Sequence, residues 1–134
     1  MTEHRPIPCV GVVCFRGEEV LLIRRGKPPR MGQWSIPGGR MEMGETAANA
    51  GLRELIEETG VAAELMGLVD VVDHFGEDVQ YVLIDYAARW IAGEPAAGDD
   101  AAEARFFPID EALMLVGWSE TRRIIEEAVG RYAS

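Results

Sequence analysis

The sequence is poor in cysteine, in basic residues and in long apolar runs. Its two cysteines, Cys9 and Cys14, lie in one predicted strand. In an extended chain they would be about 16 Å apart, which is too far for a disulfide bond between them. We therefore interpret both as buried small hydrophobic residues in a reducing compartment, and a catalytic thiol as the weaker alternative.

The chain has no apolar run near the length that spans a membrane, and residues 1–8 lack the apolar core of a secretory signal. These absences predict a cytoplasmic protein without a membrane partner. Lys and Arg number 13 against 23 Asp and Glu, for a net charge of −10. This balance argues against nucleic acid as a partner, because phosphate polyanions need basic patches. A small phosphorylated substrate stays compatible, because metal ions can bridge acids to phosphate.

At 134 residues the chain is expected to form one domain, residues 1–134. Hydrophobic patterning and turn residues predict five strands, at 7–15, 20–24, 63–74, 79–88 and 103–108, with a loop over 89–102. A short helix is predicted at 109–116 and a final helix at 120–131, with Ser119 as its N-cap. This order lacks regular alternation of strand and helix, which argues against a doubly wound parallel sheet.

The segment 38–61 stands out, because a glycine-containing loop runs into a predicted helix that bears three clustered acids. At about 100° per residue, Glu54, Glu57 and Glu58 fall within an arc of about 100°. The opposite side is predicted to face the core through its apolar residues, which are Ala48, Leu52, Leu55 and Ile56.

Such an acidic cluster near a helix C-terminus is destabilising, because the acids repel one another and because their charge opposes the helix dipole. A bound divalent cation would reverse both effects, and oxygen ligands favour Mg²⁺, Mn²⁺ or Ca²⁺ over zinc. The alternative is a solvated acidic face. Gly38, Gly39 and Gly44 let the preceding backbone approach a ligand closely, and Arg53 is placed to orient a carboxylate or touch a phosphate.

This segment resembles the Nudix box of the Nudix hydrolases. Every fixed position of the family pattern is filled at the right spacing, by Gly39, Glu45, Arg53, Glu54, Leu55, Glu57, Glu58, Gly60 and Val61. The flank Trp34-Ser35-Ile36-Pro37-Gly38-Gly39 also fits. The resemblance implies an α/β (α+β) protein with the Nudix fold, a mixed β-sheet sandwiched between α-helices.

The resemblance also implies a hydrolase that cleaves a phosphoanhydride in a nucleoside diphosphate linked to another group, such as ADP-ribose, a nucleotide sugar or a (d)NTP. Its cofactor would be Mg²⁺, with Mn²⁺ as an alternative. The implied metal ligands are the Gly38 carbonyl, Glu54, Glu57, Glu58 and Glu103. Either Glu54 or Glu103 would act as the base, with Asp99 and Asp100 as competitors of Glu103. Glu45 and Arg53 would brace the site through an ion pair.

Arg24 and Arg25 end the second predicted strand beside the basic loop 26–33, and they are read either as solvated charges or as a phosphate grip. By resemblance Arg24 is favoured for substrate phosphate, and Gly39 is expected to lie against the substrate. His74 is interpreted as a surface residue. Phe75, Tyr81 and Phe106 could stack a base, although aromatic residues in strands are more often core.

The substrate within the class stays open. A proline downstream of the box usually marks the ADP-ribose branch, and residues 62–79 contain none. A nucleotide-sensing or ligand-binding module without turnover is the alternative function, and a structural Ca²⁺ site is a third interpretation. A homodimer is also compatible, because dimers are common among similar proteins.

Overall fold

The computed structural model describes residues 5–28, 30–98 and 100–133. Within these residues the chain forms seven strands and three helices. The strands are β1 (Ile7–Arg16), β2 (Glu19–Arg25), β3 (Trp34–Ser35), β4 (Gly38–Arg40), β5 (Ala62–Gly76), β6 (Val79–Ala92) and β7 (Ala101–Pro108). The helices are α1 (Ala47–Thr59), α2 (Ile109–Leu115) and α3 (Ser119–Tyr132).

Strand β1 is the centre of a mixed sheet. It pairs in parallel with β6 and antiparallel with β4, while β5 pairs antiparallel with β6. Its pairing with β2 is confined to the turn, where Phe15 lies opposite Val20 and Arg16 opposite Glu19. Beyond the turn β2 diverges from β1 and pairs instead with β3 and β7. The sheet therefore splits into two wings, and the mixed sheet expected from the resemblance is confirmed.

The alternation of side chains along β1 builds a core on each face of the sheet. Val13 and Phe15 pack with Ile124 and Ile125 of α3. Val12 and Cys14 pack with Leu55 of α1 on the other face. Because successive strand residues point to opposite faces, one strand can serve both helical layers. The sandwich of helices around the sheet is confirmed.

The predicted burial is confirmed for Cys14, which is a free thiol whose pKa burial raises to about 12. Cys9 is also free, but it is only half-buried. Burial raises its pKa as well. Both thiols therefore stay protonated at neutral pH, which suits a packing role.

Helix α1 begins and ends by local rules. The Thr46 side chain accepts a hydrogen bond from the Asn49 N–H at 3.1 Å, and Gly60 ends the helix with a left-handed φ of 73°. Both features are standard solutions for unpaired backbone groups at helix ends. They fix the start and end of the acidic segment close to where the sequence pattern predicted them.

Three predicted boundaries are wrong. Strand β6 continues to Ala92, because the ladder with β5 extends through the Ala62 and Ala92 pair into the predicted loop. Strand β7 begins at Ala101, so Glu103 lies inside the strand, where its residue pair is Arg24 of β2. Trp118, with extended backbone angles, precedes α3, so that Ser119 is the first helical residue and makes no side-chain cap.

In the described part of the chain, every helix is too short or too polar to cross a membrane.

Candidate active site

A cleft of about 930 Å³ opens where β1 and β2 separate. Its lining draws on both helical layers. It includes five of the ten residues predicted to act as catalytic, metal-binding, substrate-binding or bracing residues, which are Arg25, Gly38, Gly39, Glu54 and Glu58. Arg24, Glu45, Arg53, Glu57 and Glu103 are not among its lining residues. The predicted site residues are therefore divided between the cleft and its surroundings.

Glu58 is held at the inner end of the cleft by the backbone of β4. It is only 7% exposed, and one of its carboxylate oxygens accepts a hydrogen bond of 2.7 Å from the Gly38 N–H. A side chain at Gly38 would overlap the carbonyl oxygen of Val10, so only glycine allows β4 to lie this close to β1. The β1 and β4 pairing thus fixes the orientation of the Glu58 carboxylate.

Glu54 lies against the second glycine of the pair. A Cβ atom at Gly39 would overlap the Glu54 carboxylate. The absence of a side chain at Gly39 is therefore what allows this carboxylate to reach the cleft. We call Gly38, Gly39, Glu54 and Glu58 the acidic end of the cleft.

The burial of α1 differs from the predicted arrangement, since of the four residues predicted to face the core only Leu55 is fully buried. Ile56, expected in the core, is 55% exposed, whereas Glu58 is buried. The buried residues of the helix are Ala50, Gly51, Leu55, Glu58 and Thr59. Glu54 and Glu58 therefore lie at the margin of the buried side rather than opposite to it, because β4 covers that margin with glycine backbone.

Arg53 joins the acids of the box. It donates hydrogen bonds to both oxygens of Glu45 at 2.6 Å and 2.9 Å, to Glu54 at 2.9 Å and to Glu57 at 3.0 Å. A fifth bond, of 3.1 Å, goes to the carbonyl of Arg40. Hydrogen bonding to Glu45 raises the pKa of Arg53, and the same pair lowers the pKa of Glu45. The repulsion expected among the acids is thus partly offset within the protein, and the expected ion pair between Glu45 and Arg53 is present.

Oxygen donors of the kind that Mg²⁺ prefers are present at the acidic end of the cleft. Glu54, Glu58 and the backbone of Gly38 line the same space. Across residues 5–28, 30–98 and 100–133, no group of three or more His, Cys, Asp or Glu side chains is already arranged to hold a metal ion. Glu57 is turned to Arg53 instead. The donor chemistry therefore fits a divalent cation, with Glu54 and Glu58 as the carboxylates best placed for it.

Glu103 is not among the residues that line the cleft. Its carboxylate accepts bonds of 2.8 Å and 3.2 Å from the Arg24 guanidinium, in the register that pairs β2 with β7. Arg24 is thereby engaged with an acid, whereas Arg25 lines the cleft. Of the two competitors of Glu103, Asp100 lines the cleft and pairs with Lys27 at 2.7 Å. Asp99 lies outside the described residues.

An aromatic wall, formed by His74, Tyr81 and Trp118, lines the far side of the cleft. The His74 and Tyr81 rings stack at 6.2 Å between centroids, and His74 meets Trp118 edge to face at 4.9 Å. The interpretation of His74 as a surface residue is wrong, since the side chain is half-buried in the cleft. The hairpin of β5 and β6 makes His74 and Tyr81 partners. The only sequence signal for this pair is the predicted β5–β6 hairpin, in which His74 and Tyr81 lie near the turn on facing strands. The sequence carries no signal for Trp118.

Asp85 is a buried acid of the cleft that the sequence analysis did not single out. It is 6% exposed and lies in β6 beside Gly11, at which a Cβ atom would overlap its carboxyl group. Burial, with a smaller contribution from the charge of Asp70, raises the pKa of Asp85 to about 7. Arg123, which bonds Asp70 at 3.1 Å, opposes this shift.

Comparison with known proteins agrees with this geometry. Residues 5–128 match the family described as NUDIX domain. The chain is 36% identical over 107 residues to an ADP-ribose pyrophosphatase of Methanocaldococcus jannaschii, covering 78% of this chain and 63% of the relative. It is 31% identical over 117 residues to an 8-oxo-(d)GTP phosphatase of Mycolicibacterium smegmatis, covering 84% of this chain and 34% of the relative.

The fold has a solved counterpart in a NUDIX hydrolase from Nitrosomonas europaea. The two superpose with a TM-score of 0.84 at 23% identity, over 97% of this chain and 73% of the other. The matched region contains the complete box, from Gly39 to Val61. The chain therefore belongs to the NUDIX family. It spans less than two thirds of the length of either curated relative.

Proposed function

We propose that this protein hydrolyses a phosphoanhydride bond in a nucleoside diphosphate linked to another group, with Mg²⁺ or Mn²⁺ as cofactor. One observation carries the proposal. Glu54 and Glu58 of the box line a cleft of about 930 Å³ together with Gly38 and Gly39. A cleft of this size suits a small organic ligand, and the acids stand where the family pattern has its metal-binding glutamates.

Charge explains why a cation belongs in this reaction. A diphosphate is anionic, and so is the acidic end of the cleft, so the two can approach each other only when positive charge lies between them. A divalent cation bound by Glu54, Glu58 and the Gly38 carbonyl would lower the pKa of water and polarise a phosphoryl oxygen. The fixed backbone of β4 keeps the Glu58 carboxylate in one orientation for this purpose.

Glu54 is the favoured base. Its carboxylate reaches the cleft beside Gly39, and Arg53 holds one of its oxygens at 2.9 Å. A base must lie within hydrogen-bond reach of the proton that it accepts. Glu103 is the weaker candidate, because its carboxylate bonds Arg24 and does not line the cleft. Arg53 and Glu45 are assigned to positioning, since together they fix Glu54 and Glu57.

Arg25 supplies positive charge to the cleft lining, as does Arg30 of the 26–33 loop. We assign Arg25 to the substrate phosphates in place of Arg24. The names of the relatives point to two substrate types, ADP-ribose and an oxidised guanine nucleotide. Both contain a nucleoside diphosphate unit, so the proposal is made for that shared unit.

The test is formation of the nucleoside monophosphate from a panel of nucleotides with Mg²⁺ or Mn²⁺, because water adds across the phosphoanhydride and leaves the other phosphate on the second product. The panel contains ADP-ribose, nucleoside triphosphates, nucleotide sugars and dinucleoside polyphosphates. We expect metal-dependent turnover that falls at least about a hundredfold in Glu58→Gln, because a cation contributes several kcal/mol to the transition state. Glu57→Gln tests the more exposed acid separately. Glu126→Gln, an exposed acid of α3, is the matched control and should keep full activity.

A nucleotide-sensing module is the second candidate, and a specific observation favours it. Arg53 already bonds Glu54 and Glu57, so the repulsion between these two acids is reduced without a cation. Calorimetry with the same panel separates the two functions. Nucleotide binding without turnover under either metal would identify a sensor and contradict the enzyme.

A further inference from the structure

We propose that the segment 96–98, in the connection between β6 and β7, is a positioning element for the box acid Glu58, and that Gly98 is the residue that allows it. The inference rests on the proposed function, because the role is assigned towards the cation that Glu58 would hold. None of the three residues of this segment lines the cleft. The segment would therefore act on the site only through the backbone of α1.

The first observation concerns the carbonyl groups at the end of α1. The last four carbonyl groups of a helix have no partner within it. Here the Gly98 N–H donates to the carbonyl oxygen of Glu58 at 2.9 Å, and the Ala96 N–H donates to that of Thr59, also at 2.9 Å. A segment that is distant in sequence therefore pairs carbonyl groups that the helix itself leaves unpaired.

The second observation concerns charge at this end of the helix. The C-terminus of a helix carries partial negative charge, which opposes the nearby acids Glu57 and Glu58. The N–H groups of Ala96 and Gly98 point at the same end and bring partial positive charge to it. The segment thus reduces the dipole penalty at the turn of the helix that bears these two acids.

The third observation is that Glu58 is held at two points. Its carboxylate accepts the bond of 2.7 Å from the Gly38 N–H, and its main-chain carbonyl accepts the bond from Gly98. The first contact orients the carboxylate against β4. The second fixes the backbone from which the side chain extends, at a helix end that would otherwise fray. A displacement of this last turn would move the carboxylate away from Gly38.

Gly98 is what allows the segment to lie so close to α1. A Cβ atom at this position would overlap the carbonyl oxygen of Glu57, which belongs to the backbone and cannot rotate away. The φ angle of Gly98 lies outside the left-handed region. Glycine is therefore required here by space and not by backbone conformation.

Contacts on both sides hold the segment in place. Before it, the indole N–H of Trp90 donates to the carbonyl oxygen of Gly93 at 2.7 Å. After it, the Gly26 N–H donates to the carbonyl oxygen of Asp100 at 2.8 Å. The same connection is thus tied to β6 at one end and to the basic 26–33 loop at the other, so it can give the end of α1 a fixed position.

The first experiment measures hydrogen exchange of the Gly38 amide by NMR, without metal or nucleotide. Gly98→Ala should displace the end of α1 and weaken the bond between Gly38 and Glu58, so this amide should exchange about tenfold faster or more. Gly130→Ala is the matched control, because it is the same change where a Cβ atom meets nothing within 4 Å, and it should leave the rate unchanged.

Ala96→Pro is the second variant, since proline lacks the N–H that bonds Thr59. It should also accelerate exchange of the Gly38 amide. Circular dichroism verifies that each variant is folded, and a variant that does not fold leaves the other to decide the result.

The second experiment measures the dissociation constant of Mn²⁺ by calorimetry, again without nucleotide. Gly98→Ala should weaken Mn²⁺ binding about 10- to 100-fold, which is the usual effect of losing a group that orients a metal ligand. Gly130→Ala should bind Mn²⁺ as wild type does. A purely structural contribution of Gly98 would lower Tm and leave the affinity for Mn²⁺ unchanged.

An unchanged exchange rate of the Gly38 amide in the folded variants would overturn the positioning role. Faster exchange with unchanged Mn²⁺ affinity would overturn it as well, as would a wild type that does not bind Mn²⁺. The turnover panel reports on the proposed function separately. Metal-dependent turnover with equal Mn²⁺ affinity in wild type and Gly98→Ala would retain the hydrolase and remove the positioning role. Both expected changes without any turnover would do the reverse.

Discussion

Arg53 and Glu45 form a two-point contact in which the guanidinium Nε and one terminal nitrogen donate to the two carboxylate oxygens at 2.6 Å and 2.9 Å. Glu45 precedes α1 and Arg53 lies in its middle, so the pair ties the loop to the helix. The remaining nitrogen of Arg53 reaches Glu54 and Glu57. The orientation of two box acids thus depends on one planar cation that Glu45 holds in place.

Replacing Arg53 by lysine should lower metal-dependent turnover by about 10- to 100-fold, which is the usual effect of losing a partner that orients metal ligands. Lysine keeps the charge but cannot donate in two parallel bonds. Steady-state kinetics at several Mg²⁺ concentrations would show the loss, with circular dichroism to verify folding. The control is Arg89→Lys, at an exposed pair with Glu64, and unchanged turnover in both variants would contradict the positioning role.

Two glycine-to-alanine changes should have opposite consequences. In Gly39→Ala the new methyl group would overlap the Glu54 carboxylate, so we expect turnover to fall at least tenfold as that acid is displaced. In Gly130→Ala the methyl group meets nothing within 4 Å, and the change lies inside α3. This variant should keep its activity and gain about 0.5–1 kcal/mol in stability, which thermal unfolding would measure. Full activity of Gly39→Ala would show that Glu54 needs no such clearance.

Arg25→Ala should raise KM for an anionic substrate about tenfold or more, because hydrogen bonds to charged groups contribute roughly 1.5–3 kcal/mol. Arg25 lines the cleft, whereas Arg24 bonds Glu103. Arg24→Ala should therefore change KM less. The measurement is KM and kcat of both variants with the best substrate of the panel, which shows which of the two arginines contacts the substrate phosphates. A larger effect at Arg24 would restore it as the phosphate ligand.

Asp85→Asn should stabilise the protein at neutral pH and lose this advantage in acid. The pKa of Asp85 rises from 3.8 to about 7 on folding, through burial and the charge of Asp70 against that of Arg123. Because the folded state holds this proton more tightly, stability is highest below the unfolded pKa and falls as pH rises towards 7. At higher pH the penalty is constant, and it is at most about 4 kcal/mol.

Thermal unfolding of wild type and Asp85→Asn between pH 4.5 and 8 measures this difference. The gap in Tm should widen with rising pH and level off above the folded pKa of about 7. Asp73→Asn supplies the control, since it changes an exposed acid of β5. A gap that is constant over the whole range would mean that Asp85 does not change its pKa on folding.

Local chemistry explains why the box helix could be predicted from the sequence. Thr46 and Gly60 supply the cap and the left-handed terminus within the segment itself. The face of the helix was harder to predict. Glu58 is buried because a backbone N–H from β4, 20 residues earlier, satisfies it. The hydrophobic pattern of the helix classes every glutamate as polar, and it contains no information about a hydrogen-bond donor on a distant strand.

The far side of the cleft could not be predicted, because its residues meet only through tertiary structure. Asp85 and Gly11 are neighbours through a parallel pairing of β1 with β6. Trp118 reaches His74 from the start of α3. Each of these residues is unremarkable in its own stretch of sequence. Their combination depends on the strand register and on the approach of α3. Neither can be predicted from the pattern of residues within a short segment.

The divergence of β1 from β2 has a consequence for which amino-acid substitutions this protein can accept. Acids from the α1 layer and the aromatic wall on the α3 face reach one cleft through that gap. Trp118 of the aromatic wall packs against the core on one face of the sheet, and Leu55 of the acid-bearing helix belongs to the core on the other face. Substitutions in one core can therefore reshape the aromatic wall while the other core, beneath the helix that carries Glu54 and Glu58, keeps its packing. The gap makes the two ends of the cleft separately adjustable parts of a single fold.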